Sequence, residues 1–292
     1  MNPSAFVVTL IGSIASFFVI LGNLFLLYST RKKKHELVLF YFRFFIDVVF
    51  GLAYFPYSFF ILGFTIYESS FFIPNYYLFW LGLPFSNASA ARNFLILIIV
   101  LDRLLATYLP ILYHNIRPRV SNLILFVLPV IFIGVEDFVI FIICGKYSES
   151  IEPTCVSFPC TLNTCGYYWW TSYKSVIFPI IIILTVVLCF KLFLFSKKLQ
   201  DSSATKRANR LALLDAFLIF IFDCIPSFLA YQFPDSPLIE YTSAGPVTAM
   251  LKQVGRAIES FIVIDILVRR MRVDGTRRKS SQVVIIGAKN SK

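Results

Sequence analysis

Leu101-Asp102-Arg103-Leu104-Leu105-Ala106-Thr107-Tyr108-Leu109-Pro110-Ile111-Leu112-Tyr113 closes the third of seven long apolar stretches in this chain. An acid and a base side by side at the end of such a stretch anchor a helix where hydrocarbon gives way to water. Ionised groups are costly inside a membrane and gather at its edges or at functional sites. The fold therefore turns on whether the surrounding stretches can span a bilayer.

Composition says that they can. Of 292 residues, 58% are hydrophobic, 17% aromatic and only 15% charged, and Phe alone occurs 33 times. Mean hydropathy is +0.77. Soluble domains run to roughly half apolar and about a quarter charged. Apolar runs of about 20 residues read as membrane helices. They lie near 5–29, 37–66, 76–108, 121–144, 174–195, 211–231 and 247–268. In lipid every backbone group must be satisfied internally, so the choice is helices or a closed barrel. These runs are too long and too continuously apolar for barrel strands. The expected fold is an all-α bundle of seven transmembrane helices. The second and third are long enough to tilt or to project beyond the bilayer.

Charge placement gives the topology. Arg31-Lys32-Lys33-Lys34-His35-Glu36 fills the first connection, and His114, Arg117 and Arg119 lie in the third. Lys191, Lys197, Lys198, Lys206, Arg207 and Arg210 surround the fifth. A basic tail, 271–292, follows the last span, itself edged by Arg269 and Arg270. The alternate connections hold Glu68, then Lys146, Glu149 and Glu152, then Asp235 and Glu240. Basic residues collect on the cytoplasmic side, which places the N-terminus outside and the C-terminus inside. The first 30 residues form one apolar stretch without a basic leader, so we expect an uncleaved anchor rather than a secretory signal. The net charge of +11 does not indicate nucleic-acid binding, because it sits in short loops between spans.

The run from Asp102 to Tyr113 resembles the D-R-x-x-A-x-x-x-P-x-x-Y signature of G-protein-coupled receptors, with Asp102, Arg103, Ala106, Pro110 and Tyr113 in place. Gly22-Asn23 is similar to the G-N pair of rhodopsin-like receptors, and Pro179 and Pro226 fall where such receptors carry helix-kinking prolines. Phe220, six residues before Pro226, also fits. Departures are equally clear. Leu104 follows the arginine, no Trp stands near Pro226, and the last span ends Ile264-Asp265-Ile266-Leu267 in place of N-P-x-x-Y. No cysteine precedes Cys144, so the usual disulfide from the third span cannot form. With Tyr113-His114-Asn115 and Phe-rich spans, the chain looks most like a nematode serpentine chemoreceptor of class bc.

That resemblance implies a receptor domain over 1–270 and a plasma-membrane location, with sensory cilia as the expected site. It implies a small chemical cue as ligand and a heterotrimeric G protein as partner. Arg103 would be held by Asp102 at rest and turn toward the G protein when active. Asn23 would bridge helices, and Asp265 would stand for the polar residue of the missing motif. The reading without a receptor is a multi-span transporter or channel, in which Asp102 and Arg103 only anchor a helix end. A transporter predicts broken helices and paired half-repeats, and no repeat is visible. An insect-type odorant channel should have the opposite orientation.

Ionisable residues within the spans are functional candidates by default. Arg43 and Asp47, four apart, share a helix face. Arg92 lies eleven residues before Arg103, roughly 16 Å up the helix, with Asp47 the nearest expected partner. A pair there would take the place of the sodium site of many such receptors, so no sodium, other metal or cofactor is expected. Lys252, Arg256 and Glu259 line one face of the last span and are candidates to meet a ligand. Glu136, Asp137 and Asp223 are candidate counter-charges. Internal ion pairing is the competing reading for all of them. Lys252 lies too near the outside for opsin chemistry, and nothing points to an enzyme.

Cys144, Cys155, Cys160 and Cys165 lie in or beside the second outer loop, where the compartment permits disulfides. Four cysteines allow three pairings. Tyr167-Tyr168-Trp169-Trp170 reads first as an interfacial aromatic belt. Asn87-Ala88-Ser89 falls inside a span, and Asn2-Pro3-Ser4 is blocked by proline, so no N-glycan is expected. Arg277-Arg278-Lys279-Ser280-Ser281 suits anionic lipid, with phosphorylation as a further reading.

Overall fold

In a computed structural model of the chain, the described residues are 3–31, 38–67, 76–145, 155, 157–195, 203–232 and 246–267. They form helices α1 (Pro3–Thr30), α2 (Val38–Tyr67), α3 (Tyr76–Tyr108), α4 (Pro110–Ile116), α5 (Asn122–Phe138), α6 (Thr164–Phe195), α7 (Ser203–Ile219) and α8 (Ile225–Gln232), then α9 (247–267). A π-helical turn, Val139–Ile143, prolongs α5, and another, Phe220–Cys224, joins α7 to α8 in one continuous helix. Short 3-10 turns cover Arg117–Arg119 and Phe158–Thr161.

The bundle is built with its apolar residues outward. Phe17, Leu21 and Phe25 on α1 are each close to half exposed, and Phe59, Ile183 and Phe217 more so. Inside lie Arg43, Asp47, Arg92, Asp215 and Glu259, none above 2% exposed. Monomeric soluble proteins rarely expose apolar patches on this scale. Among the described residues, five helical segments are long and apolar enough to cross a bilayer: Pro3–Thr30, Val38–Tyr67, Asn122–Ile143, Thr164–Leu192 and Ala208–Leu229. The other two long helices, α3 and α9, carry the central charges Arg92, Lys252, Arg256 and Glu259.

Two spans begin earlier than hydropathy predicts. The apolar run at 174–195 is the second part of α6, which starts at Thr164. Asn163 begins it: its Oδ1 accepts from the Gly166 amide at 2.8 Å, and its Nδ2 donates to the Cys144 carbonyl at 2.7 Å. Such a cap satisfies an amide that a helix start leaves unpaired. The run at 211–231 likewise starts at Ser203, in α7. A helix satisfies its backbone as well in water as in lipid, so it need not stop where the apolar run stops.

Interhelical contact in the first pair depends on small residues. Ser16 Oγ donates to the Gly51 carbonyl on α2 at 3.0 Å. Close approach through small residues is a usual membrane packing device. Asn23 does not supply the expected bridge. It is fully buried, but its Nδ2 donates to Val19 O of its own helix at 2.9 Å. Phe220, which fits the receptor pattern in sequence, is 40% exposed on the bundle surface and opens the π-helical turn before Pro226. A π-helical turn of this kind inserts one residue into the helical register.

The cysteines choose one of the three pairings: Cys144 with Cys165, and Cys155 with Cys160. The first closes 21 residues of sequence separation and ties the end of the α5 segment to the start of α6. A crosslink of that span constrains the unfolded chain by about 3 kcal/mol in the loop-entropy model. Non-reduced peptide mapping should recover a 144–165 linkage. Cys165→Ser should lower the melting midpoint by several degrees, about 2–4 °C per kcal/mol for a chain of this order. Recovery of 144–155 or 144–160 linkage instead would contradict the fold at this end.

Candidate functional site

Two cavities open at opposite ends of the bundle, and a cluster of ionised side chains lies between them. The cluster joins four helices. Arg43 on α2 pairs with Asp215 on α7 and with Glu259 on α9. Arg92 on α3 pairs with the same Glu259. Its Nε donates to Asp47 Oδ1 at 2.7 Å, and Arg43 Nε lies 3.5 Å from Asp47 Oδ2. Two guanidiniums thus meet three carboxylates. A guanidinium presents five donors in a fixed fork, which lets one arginine reach two helices at once. Ion pairs this deep are retained only where each charge is well partnered, because desolvation is expensive.

Sequence spacing alone brings Arg43 to Asp47, and topology suggests Arg92 with Asp47. Asp215 goes unseen in sequence, because it looks like one acid at the polar start of a span. Glu259 is a correction: expected to face a ligand, it is claimed by two arginines. Asp265, expected in the same polar network, is exposed near the end of α9, one and a half turns beyond Glu259 and turned away. Six residues at about 100° each place it about 120° round the helix from Glu259.

At the end that carries Asp102 and Arg103, the quoted sequence run folds back on itself. Asp102 is 7% exposed. Arg103 pairs with it, Nε donating to Oδ2 at 3.0 Å. Tyr113, on the short helix α4, receives a hydrogen bond from Arg103 Nη2 at 3.0 Å and donates to Asp102 at 3.1 Å. Arg117 Nε donates to the other Asp102 oxygen at 3.0 Å, and its Nη2 donates to Asn122 Oδ1 at 2.6 Å. The spacing from Asp102 to Tyr113 is thus explained: Pro110 starts α4, and α4 returns Tyr113 to the carboxylate. Arg117 has the same partner and was not singled out in the sequence. Burial and the Asp102 charge raise the Tyr113 phenol above its ordinary range, so it stays protonated and can donate. These groups border a cavity of about 420 Å³ that also reaches Leu39, His114 and Ala208.

At the disulfide end, a cavity of about 340 Å³ lies between α2, α3, α6, α8, α9 and the 157–159 segment. Small-molecule sites typically span about 300–1,000 Å³. Its lid is Phe158, stacked on Phe79 with ring centroids 5.8 Å apart. The Phe158 amide donates to Tyr57 Oη at 2.9 Å. Gly82 makes room beneath it, since a Cβ there would meet the Phe158 ring at 2.5 Å. Aromatic packing on α3 therefore seats the lid where receptors of the resembling fold use a disulfide. Trp170 lines the cavity and donates from Nε1 to Ser86 Oγ at 2.9 Å. Tyr167 lines it too, whereas Tyr168 is 70% exposed. Trp170 is thus drawn from the interfacial belt expected of this aromatic run into the cavity wall.

Of the three residues expected to meet a ligand, Lys252, Arg256 and Glu259, and their candidate counter-charges, only Lys252 borders this cavity. Its Nζ lies 3.5 Å from Asp223 Oδ1, and Asp223 sits behind it. Asp137 is diverted to α3, where Asn87 Nδ2 donates to it at 3.0 Å. That contact also places the Asn87 sequon in a helix interface. Arg256 is one turn deeper than Lys252, its guanidinium 3.4 Å above the Phe50 ring centroid. Glu136 is fully buried on α5. Lys174, on α6, lines the cavity and was missed, since it reads as the polar edge of an apolar run. Pro179 borders the same cavity, and Pro226 lies two residues past the π-helical turn, in the first turn of α8.

A comparison with curated proteins gave no match. The family model described as serpentine type 7TM GPCR chemoreceptor Srbc matches residues 1–271, and the chain belongs to that family.

Proposed function

We propose that this multi-pass membrane protein is a chemosensory receptor that binds a small cue and activates a heterotrimeric G protein. In this reading seven helices cross the plasma membrane, with α3 and α9 as the charged spans and the basic tail inside. The cue enters the cavity at the disulfide end, which faces outside. The G protein meets the cavity at the Arg103 end. The observation that carries the reading is the Asp102–Arg103–Tyr113–Arg117 network beside that second cavity. An arginine held by an acid and a phenol at the mouth of a cavity has an alternative partner within reach once something docks there. Such a group gives a two-state element that binding can bias.

The ion cluster supports receptor over transporter. It fills the middle of the bundle with five charged side chains at 2% exposure or less. It also locks α2, α3, α7 and α9 to one another, where a conduction path would need room. Ligand-driven movement of α9 against α3 must rearrange Glu259 between its two arginines. This is a physical link from one cavity to the other that does not need the absent N-P-x-x-Y motif.

G-protein activation by membranes that carry the protein tests the reading, with small molecules screened against an Arg103→Ala variant matched for surface level. The expected result is a cue-dependent response that falls by at least tenfold in the variant. A response of undiminished size would remove Arg103 from coupling. Current or substrate flux through the same membranes would favour a channel or transporter.

A further inference from the structure

The cavity at the disulfide end has an uneven electrostatic wall. Two cations border it, Lys174 and Lys252, and no carboxylate does among the described residues. Lys174 is 4% exposed and Lys252 5%. An ammonium has three donors to satisfy. Lys174 Nζ has no hydrogen-bond partner among the described residues and rests instead 2.6 Å from the centroid of the Trp170 ring. Lys252 Nζ approaches Asp223 only to 3.5 Å, beyond a good hydrogen bond. Ser89 Oγ, on the same wall, is also unpartnered. The rest of the wall is largely apolar, with Phe85, Phe178, Phe228 and Ala249.

A buried charge without hydrogen bonds is expensive. Here the unsatisfied donors converge on an empty volume of ligand size. The missing partner must therefore supply acceptors. Asp223 and Glu136 already lie behind the lysines, and their fields reach both. They already balance the two lysines in formal charge, so a monoanion that satisfies the free donors brings less excess charge than a dianion would. The aromatic wall requires the remainder of the ligand to be apolar.

We propose that this cavity recognises a small monocarboxylate with an apolar chain or ring. Lys174 and Lys252 bind the carboxylate, Ser89 contributes a hydroxyl, and the phenylalanines enclose the apolar part. The proposal rests on the receptor reading above and names the class of cue. Trp170 positions Lys174: its ring face holds the ammonium, and its indole N–H is fixed by Ser86. A cation over an indole face is well placed electrostatically but keeps its donors free for a ligand.

The test uses the full chain in lipid nanodiscs without G protein. Binding of octanoate, phenylbutyrate and indoleacetate is measured beside their methyl esters, which keep the shape and remove the charge. At least one acid should bind about tenfold or more tightly than its ester, the usual weight of a hydrogen-bonded charge. Lys174→Gln and Lys252→Gln should each reduce that preference about tenfold, and Lys174→Arg should keep most of it. Equal binding of acid and ester overturns the proposal, as does an acid preference that survives in both glutamine variants. So does the absence of binding by all three acids up to about 1 mM. The acid–ester comparison on the unaltered protein needs no variant to fold. Arg103→Ala should leave the preference intact, so failure of coupling and failure of this site are read separately.

Discussion

Glu259→Ala is expected to remove most folded protein from the cell surface. Glu259 is shared by Arg43 and Arg92, as Asp47 is, and it alone joins both arginines to α9; the three side chains are at most 2% exposed. Truncation leaves two buried guanidiniums with fewer counter-charges. Breaking a buried ion pair from one side costs about 3–5 kcal/mol, a large part of the 5–15 kcal/mol that holds a typical domain together. In detergent the melting midpoint should fall by roughly 10 °C, with surface labelling reduced in parallel. Glu259→Gln keeps an acceptor toward one arginine, turns a donor toward the other and carries no charge, so it should lie between the alanine variant and the unaltered protein. Were the alanine variant to melt within a degree or two of the unaltered protein, the cluster would not be the structural centre of the bundle.

Asp102→Asn should act in the opposite sense, on signalling rather than on folding. Asp102 accepts from Arg103, Tyr113 and Arg117 at the edge of the second cavity. An amide of the same shape loses the charge and half of the acceptor capacity. Hydrogen bonds to charged groups contribute about 1.5–3 kcal/mol each, so the resting arrangement should weaken by that order. Cue-independent G-protein activation should rise about tenfold or more, while surface level changes little because the site is at the bundle edge. Tyr113→Phe removes one bridging hydroxyl and should give a smaller rise. Unchanged basal activity in Asp102→Asn would mean that the carboxylate anchors the helix end and does not restrain Arg103.

The two predictions mark where reading a sequence succeeds and where it stops. The Asp102–Tyr113 run is local, with a sequence separation of eleven, and its contacts stay within a turn-and-return that spacing can reveal. Arg117 is only four residues further, yet nothing in its own neighbourhood says that it points back. Glu259 and Asp215 belong to helices far from α2 and α3 in sequence, so only packing shows that both meet Arg43 and that Glu259 also reaches Arg92. Lys174 was hidden for a related reason. It stands where hydropathy begins to rise toward a span, and a lysine there reads as an interfacial anchor. The helix continues ten residues earlier, to Thr164, which draws Lys174 inside the bundle.

Apolar length and motif spacing, by themselves, determined that this chain is a helical membrane bundle of the serpentine receptor kind. Such features are one-dimensional: a bilayer demands about 20 apolar residues per crossing, and a run such as Asp102 to Tyr113 keeps its meaning wherever the rest of the chain goes. The tertiary structure alone decided which charges neutralise one another and which remain for a ligand. That depends on helix rotation, and each residue turns a helix face by about 100°. Rotation sends Glu259 inward to the arginines, turns Asp265 away, and leaves Lys174 and Lys252 facing the same cavity.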